Sequence, residues 1–125
     1  MSAGSFAQNL LLQYGLLGAT ATRVSAWSVG LSLSSTLTEG TLSEIAAGSG
    51  YARQAVAFAS SVVNTFTNTA AVTFGVFSSN NTVRGIFVVN DAGSLLLYGT
   101  LSPATAIARG SVGIIASGAL KVTLS

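Results

Sequence analysis

The chain has 125 residues, of which five are basic and three acidic, and it contains neither cysteine nor histidine. That length suits one domain with a modest core, and the composition excludes disulfides, thiol nucleophiles, Ser-His relays and the usual zinc sites. The basic residues Arg23, Arg53, Arg84, Arg109 and Lys121 are scattered, so there is no basic stripe of the kind that binds nucleic acid.

Read in chain order, Ser5 to Gly18 has helical spacing: Ser5 can cap the start, Gly18 can supply a left-handed stop, and Phe6, Leu10, Gln13 or Tyr14, and Leu17 recur at turn intervals. Such a helix either plugs one end of its own domain or packs on a neighbouring subunit, with Phe6, Leu10, Leu12, Tyr14 and Leu16 as the candidate interface side chains. Its apolar run, interrupted by Gln13, is far short of the roughly 20 residues that span a membrane. Ala19-Thr20-Ala21 resembles a cleavage site, but no Lys or Arg precedes the apolar stretch, so a secretory leader is not expected.

The period then changes to two. Arg23 to Leu33 alternates apolar with small polar residues, which predicts a half-buried strand with Trp27, Val29, Leu31 and Leu33 inward. Ser34 to Ser49 reads as a long loop with a short helical turn near Leu42 to Ala47. Gly50 to Phe58 reads as one central extended strand, with Tyr51 and Arg53 on the same face because side chains alternate. Ser60 to Asn68 suggests a turn or short strand, Ala70 to Val76 extended chain, and Thr82 to Val89 a strong strand. The group Asn90-Asp91-Ala92-Gly93 predicts a hairpin into Ser94 to Leu101. Pro103 falls in a connection, and Ala104–Ala108, Val112–Ala116 and Ala119–Leu124 complete the set. The expected fold is therefore all-β: a small antiparallel β-sandwich or jelly-roll-like barrel of about seven to nine strands with one N-terminal helix. Residues 1–125 form one domain on this reading, with the helix at 5–18 and the sandwich at 23–124.

Candidate chemistry is sparse. Glu39, Glu44 and Asp91 are too separated in the sequence for an acid/base pair or a calcium cage, and Gly48-Ser49-Gly50 leads into a strand rather than a phosphate-binding helix. No catalytic, cofactor-binding or metal-binding residue is expected, and no enzyme activity. Asn80-Asn81-Thr82 matches a glycosylation triplet, a pattern that recurs by chance. Tyr51 and Arg53 pair most naturally with each other and with a carboxylate such as Glu44 or Glu39, fastening strand to loop. Trp27, alternating with Val29 and Leu31, reads as core. Half of the residues are apolar and 6% are charged, against about a quarter charged in ordinary soluble domains. Such a surface is expected to be covered by partners, beginning with copies of itself.

Several blocks carry a resemblance. Glu44 with Gly48 to Phe58, Asn68 through Val72-Thr73-Phe74, Arg84 to Phe87 with Asp91 to Leu101, and Gly110-Ser111 with Ala116 to Leu124 together resemble a family of small tailed-bacteriophage virion proteins, labelled tail-fibre-like or structural. The likeness runs from roughly residue 27 to 124. It departs from the family pattern at Ser32 to Thr36 and at Ser111. The resemblance implies a non-enzymatic virion protein without cofactors, partnered by itself and by the major coat protein or other virion proteins, and by neither nucleic acid nor membrane. Short turns and scarce charge favour a capsid decoration or cement protein bridging coat subunits at the capsid surface. A tail or tail-fibre component is the second reading, and a carbohydrate-binding module, with few aromatics to support it, the third.

Overall fold

The computed structural model describes residues 2–4, 8, 26–38, 40–46, 49–62, 65–90 and 93–123. Among these residues the fold is all-β, with ten strands in three sheets and every pairing antiparallel. The largest sheet has the order β1 (Ser2–Ala3), β8 (Leu95–Ile107), β7 (Asn81–Asn90), β2 (Trp27–Ser32), β3 (Gln54–Ala55). A second sheet joins β10 (Lys121–Thr123), β5 (Thr65–Asn68) and β4 (Phe58–Val62), and a third pairs β6 (Val72–Val76) with β9 (Val112–Ile115).

Alternation along β2 sets up the core. Val29 faces Val88 across the β2–β7 ladder and Leu31 faces Ile86, and this apolar face packs on Val72 and Phe74 of β6 and on Phe77 and Leu120. The opposite face of β2 is built of Ser28, Gly30 and Ser32, and Phe87, fully buried, is the ladder partner of Gly30. A Cβ on Gly30 would collide with the Phe87 ring, so glycine here is what lets the ring lie across the strand.

Three expectations are corrected. Gly50 to Phe58 is not one strand: only Gln54–Ala55 joins the main sheet, Phe58 starts a strand of a different sheet, and Tyr51 to Arg53 lie in none. Gly50 sits at φ +82 against the Val76 carbonyl, which turns the chain and sends Tyr51 into the core instead of along a sheet. The expected helical turn is absent over 42–46, where irregular chain makes an antiparallel bridge between Ser32 and Glu44. Pro103 does not separate two strands. It lies within β8, where Gly85 pairs with Thr100 and Val83 with Thr105, so that residues 101–104 face Arg84 alone and bulge out of the ladder. A bulge is where proline costs a strand no hydrogen bond.

The hairpin after β7 and the core face of β2 are as expected. The Asn90 hairpin closes through Gly93 N–H to the Asn90 carbonyl and Ser94 N–H to Asn90 Oδ1, with Gly93 at φ +83. Val29 and Leu31 are buried as the alternation predicts, whereas Leu33 emerges at the surface. Of the helix expected at 5–18, one bond is described, from Gln8 N–H to the Gly4 carbonyl at 3.0 Å. The rest, with Phe6, Leu10, Leu12, Tyr14 and Leu16, lies outside the described residues.

The three-stranded sheet is tied to the C-terminal turn by one buried amide. Asn68, 2% exposed, donates from Nδ2 to the carbonyls of Ala70 and Ala116 and accepts the Leu120 N–H on Oδ1. Its own backbone donates to Leu120 and accepts from Gly118. Removing the side chain leaves buried polar groups of the turn unpaired, each worth about 1–3 kcal/mol. Asn68→Ala is therefore expected to lower the unfolding free energy by about 3 kcal/mol, read as a shift in urea midpoint at unchanged slope; a loss within error of zero would refute the role of the amide.

Candidate functional site

β3 covers only the first part of the β2 edge, pairing Ala55 with Ser28 and Gln54 with Val29. Beyond that point the backbone of Leu31 and Leu33 needs other partners, because buried amides are rarely left unpaired. The loop that follows β2 supplies them. Ile45 N–H donates to the Leu31 carbonyl at 3.3 Å, Leu33 N–H donates to the Ser43 carbonyl at 3.0 Å, and Ser32 Oγ donates to the Leu42 carbonyl. Ser43 adopts φ +48 to make the approach, a conformation that non-glycine residues take only where surrounding contacts impose it.

Leu31 N–H goes to a side chain, the Tyr51 hydroxyl, at 3.0 Å. The same hydroxyl donates to Glu44 Oε2 at 2.5 Å, and Arg53 grips that carboxylate with Nε on Oε2 and Nη2 on Oε1, both at 2.9 Å. The Tyr51 ring stacks on Phe74 at 6.0 Å between centroids and meets Phe77 edge-on at 6.3 Å. The Arg53 guanidinium carbon stands 5.4 Å from the Phe87 ring centroid. Thus Glu44, Tyr51 and Arg53, which the sequence groups as a clamp between strand and loop, come together in one network, although Tyr51 is buried and Arg53 exposed.

Electrostatics follow from this geometry. Partial burial would raise the Glu44 carboxyl, but the hydrogen bonds from Arg53 and Tyr51, with the Arg53 charge, outweigh it and hold the group below the ordinary carboxylate value. Burial, reinforced by the bond to Glu44, pushes the Tyr51 hydroxyl up. The Glu44 hydrogen bond raises Arg53 against a smaller opposing effect of burial. At neutral pH the network is one carboxylate, one guanidinium and one neutral phenol, with no group poised to exchange a proton. Among the described residues no three His, Cys, Asp or Glu side chains gather into a metal-binding group, and every buried side-chain nitrogen or oxygen has a hydrogen-bond partner.

A second feature is apolar. A surface groove of about 410 Å³ runs between the main sheet and the two smaller ones, lined mainly by apolar side chains such as Leu101, Ile107, Ile114, Ile115 and Leu120, with Lys121 also on its wall. On the same ribbon as Ile114, which is 61% exposed, Val76 and Val112 are exposed by 58% and 41%.

These features describe a module with a self-satisfied polar network on one side and exposed aliphatic side chains on another. The family model described as Podophage GP4 fiber I protein gp80 matches residues 2–123. The chain belongs to this family. No curated protein matches the chain. Membership in a phage fibre family supports the tail-fibre reading over capsid decoration, the reading that the sequence ranked first. The arguments used for the capsid, short turns and scarce charge, apply to any protein repeated in a symmetric assembly and do not separate fibre from coat.

Some residues of the site carry no sequence signal of their own. The demand of the Leu31 amide for a partner follows from how soon β3 ends, and the Phe74–Phe77 shelf beneath Tyr51 from a change of direction at Gly75. The exposed apolar strip does have a signal, the uninterrupted run Val112 to Ile115, which period-two reading takes simply as a strand.

Two outcomes test the clamp. Because the folded-state pKa of Glu44 is depressed, its contribution to stability is complete above the unfolded carboxylate value, about 4.3, and disappears as pH falls through the folded value. The melting temperature of the wild type should therefore exceed that of Glu44→Gln at neutral pH, by an amount corresponding to about 1 kcal/mol for this partly exposed pair, and the two should converge below about pH 4. A gap that persists in acid would show that the charge is not what holds the loop. Tyr51→Phe keeps the ring stack but strips the Leu31 N–H of its acceptor, so it is expected to cost about 2 kcal/mol in chemical denaturation at any pH where Tyr51 is neutral.

Proposed function

We propose that the chain is a structural subunit of a phage fibre that acts by protein–protein contact and carries out no catalysis. The observation that supports this most directly is the family match over nearly the whole chain. The composition agrees with it: a surface with so few charges gains most by being buried against other subunits, and repetition around a symmetric fibre multiplies each such contact. The partners on this reading are further copies of the chain and neighbouring virion proteins. The Glu44–Tyr51–Arg53 clamp serves it by holding the loop over the β2 edge, because an unpaired edge on a protein at high local concentration pairs indiscriminately.

The test is copy number and position in purified virions, by quantitative mass spectrometry of this chain against the coat protein together with immunogold labelling. On the order of tens of copies, with label on the fibres, is the expected result for a symmetric appendage. Hundreds of copies in fixed ratio to the coat, with label over the capsid, would overturn the fibre reading in favour of a cement protein.

A further inference from the structure

The β6–β9 ribbon is apolar on both faces. Inward it presents Val72, Phe74 and Gly113, all buried, with Ile115 packed against the core. Outward it presents Val112, Ile114 and Val76, with Thr73 opposite Ile114 and Val76 opposite Val112. Val76 is outward for a specific reason. Strict alternation from Val72 and Phe74 would point it into the core, but the register shifts between Thr73 and Val76, around Gly75 at φ +87, and the next residue, Phe77, takes the inward place at 1% exposure. Bulges re-aim side chains in this way, and here the re-aimed residue is a valine turned toward solvent.

A strand apolar on both faces is the pattern of a strand covered on both, and the outward strip has the anatomy of an interface. Its centre is aliphatic, its surroundings are the exposed hydroxyl residues Thr73, Ser78, Ser79 and Ser111, and neither strand carries a charge. The occupant of such a strip must itself present an apolar face, a condition that a chain with 50% apolar residues meets. A second observation identifies the occupant more closely. Ile114, the most exposed of the large apolar side chains described, stands on the wall of the groove of about 410 Å³ that Leu101, Ile107, Ala119 and Leu120 also line, with Thr100, Thr105 and Lys121 as its polar members. An apolar side chain that projects from the wall of a largely apolar recess is self-complementary, because the recess of one copy can take the projecting wall residue of another while offering its own in return.

We infer that the outward face of the β6–β9 ribbon is a contact between copies of this chain, with Ile114 of one copy seated in the Leu101–Leu120 groove of the next. The inference deepens the proposed function and rests on its self-association. It assigns that association to one surface, whose occupant is a second copy rather than a small ligand or a different virion protein.

Sedimentation velocity over a concentration series tests it with four variants. Ile114→Thr and Val76→Thr remove projecting methyl groups from exposed positions and keep β-compatible side chains, Ala119→Trp fills the groove from its exposed rim, and Phe66→Thr alters an exposed aromatic on the three-stranded sheet as a control. The expected result is association of the wild type and of Phe66→Thr, with each of the other three weakened about tenfold or more, as for central interface residues, while circular dichroism stays unchanged. Association of the two ribbon variants and Ala119→Trp at wild-type strength would overturn this surface and leave self-association standing. A wild type that stays monomeric throughout would remove self-association itself, and would leave the strip for a different virion protein.

Discussion

The fold depends on how one strand edge is finished. β2 lies beside the longest hairpin of the protein and carries Val29 and Leu31 into the core, yet its outer neighbour, β3, lasts two residues. An unfinished edge next to the core is costly, since its amides must be desolvated with the side chains. The chain meets this with the loop that follows β2, which returns antiparallel through Ser43 and Ile45, and with a phenol brought from the far side of that loop. Every member of the Glu44–Tyr51–Arg53 network can be derived from that need. The phenol replaces a missing carbonyl, the carboxylate fixes the phenol, and the guanidinium neutralises the carboxylate while resting on Phe87.

Parts of this were legible in the sequence for identifiable reasons. Scarcity made Arg53 and Glu44 conspicuous, since a protein with so few charges has few explanations for each. Alternation made β2 and β7 readable, and Asn90 to Gly93 announced the hairpin through its tolerance of positive φ. Local pattern failed where tertiary contact decided the outcome. Gly50 to Phe58 has strand-like residues throughout, but the Val76 carbonyl closes on Gly50 and turns the chain out of the sheet. Pro103 reads as a break, and only the ladder shows that residues 101–104 leave and rejoin the same strand. Asn68 looks like a residue of an ordinary polar turn, and its satisfaction by groups around residues 116–120 is a long-range fact that no window of sequence contains.

The two surfaces of the molecule differ in how they are finished. On one side, polar chemistry is turned inward: the charges near the β2 edge are consumed by each other, leaving a closed border. On the other, the bulge at Gly75 and the run Val112 to Ile115 leave aliphatic side chains uncovered beside a recess. Closing one border while leaving another open limits the surfaces through which such a module can pair with a neighbour, and so guards against edge-to-edge aggregation.

The amide of Asn68 also bears on the time course of folding. Its partners lie as much as 52 residues away in the chain, so the bonds form only after everything between has been made and roughly placed. The β7–β8 hairpin has no such delay, because its strands are adjacent in sequence and joined by a short turn. Chains that postpone their distant contacts fold slowly, and until the last turn docks, β5 remains without its C-terminal neighbour β10. The β4–β5 pair is equally local, so the step expected to come late is the docking of β10 and the turn at 116–120 on β5. The recess bordered by Leu120 is complete only once that docking has occurred, so the shape of this surface depends on contacts made between distant parts of the chain.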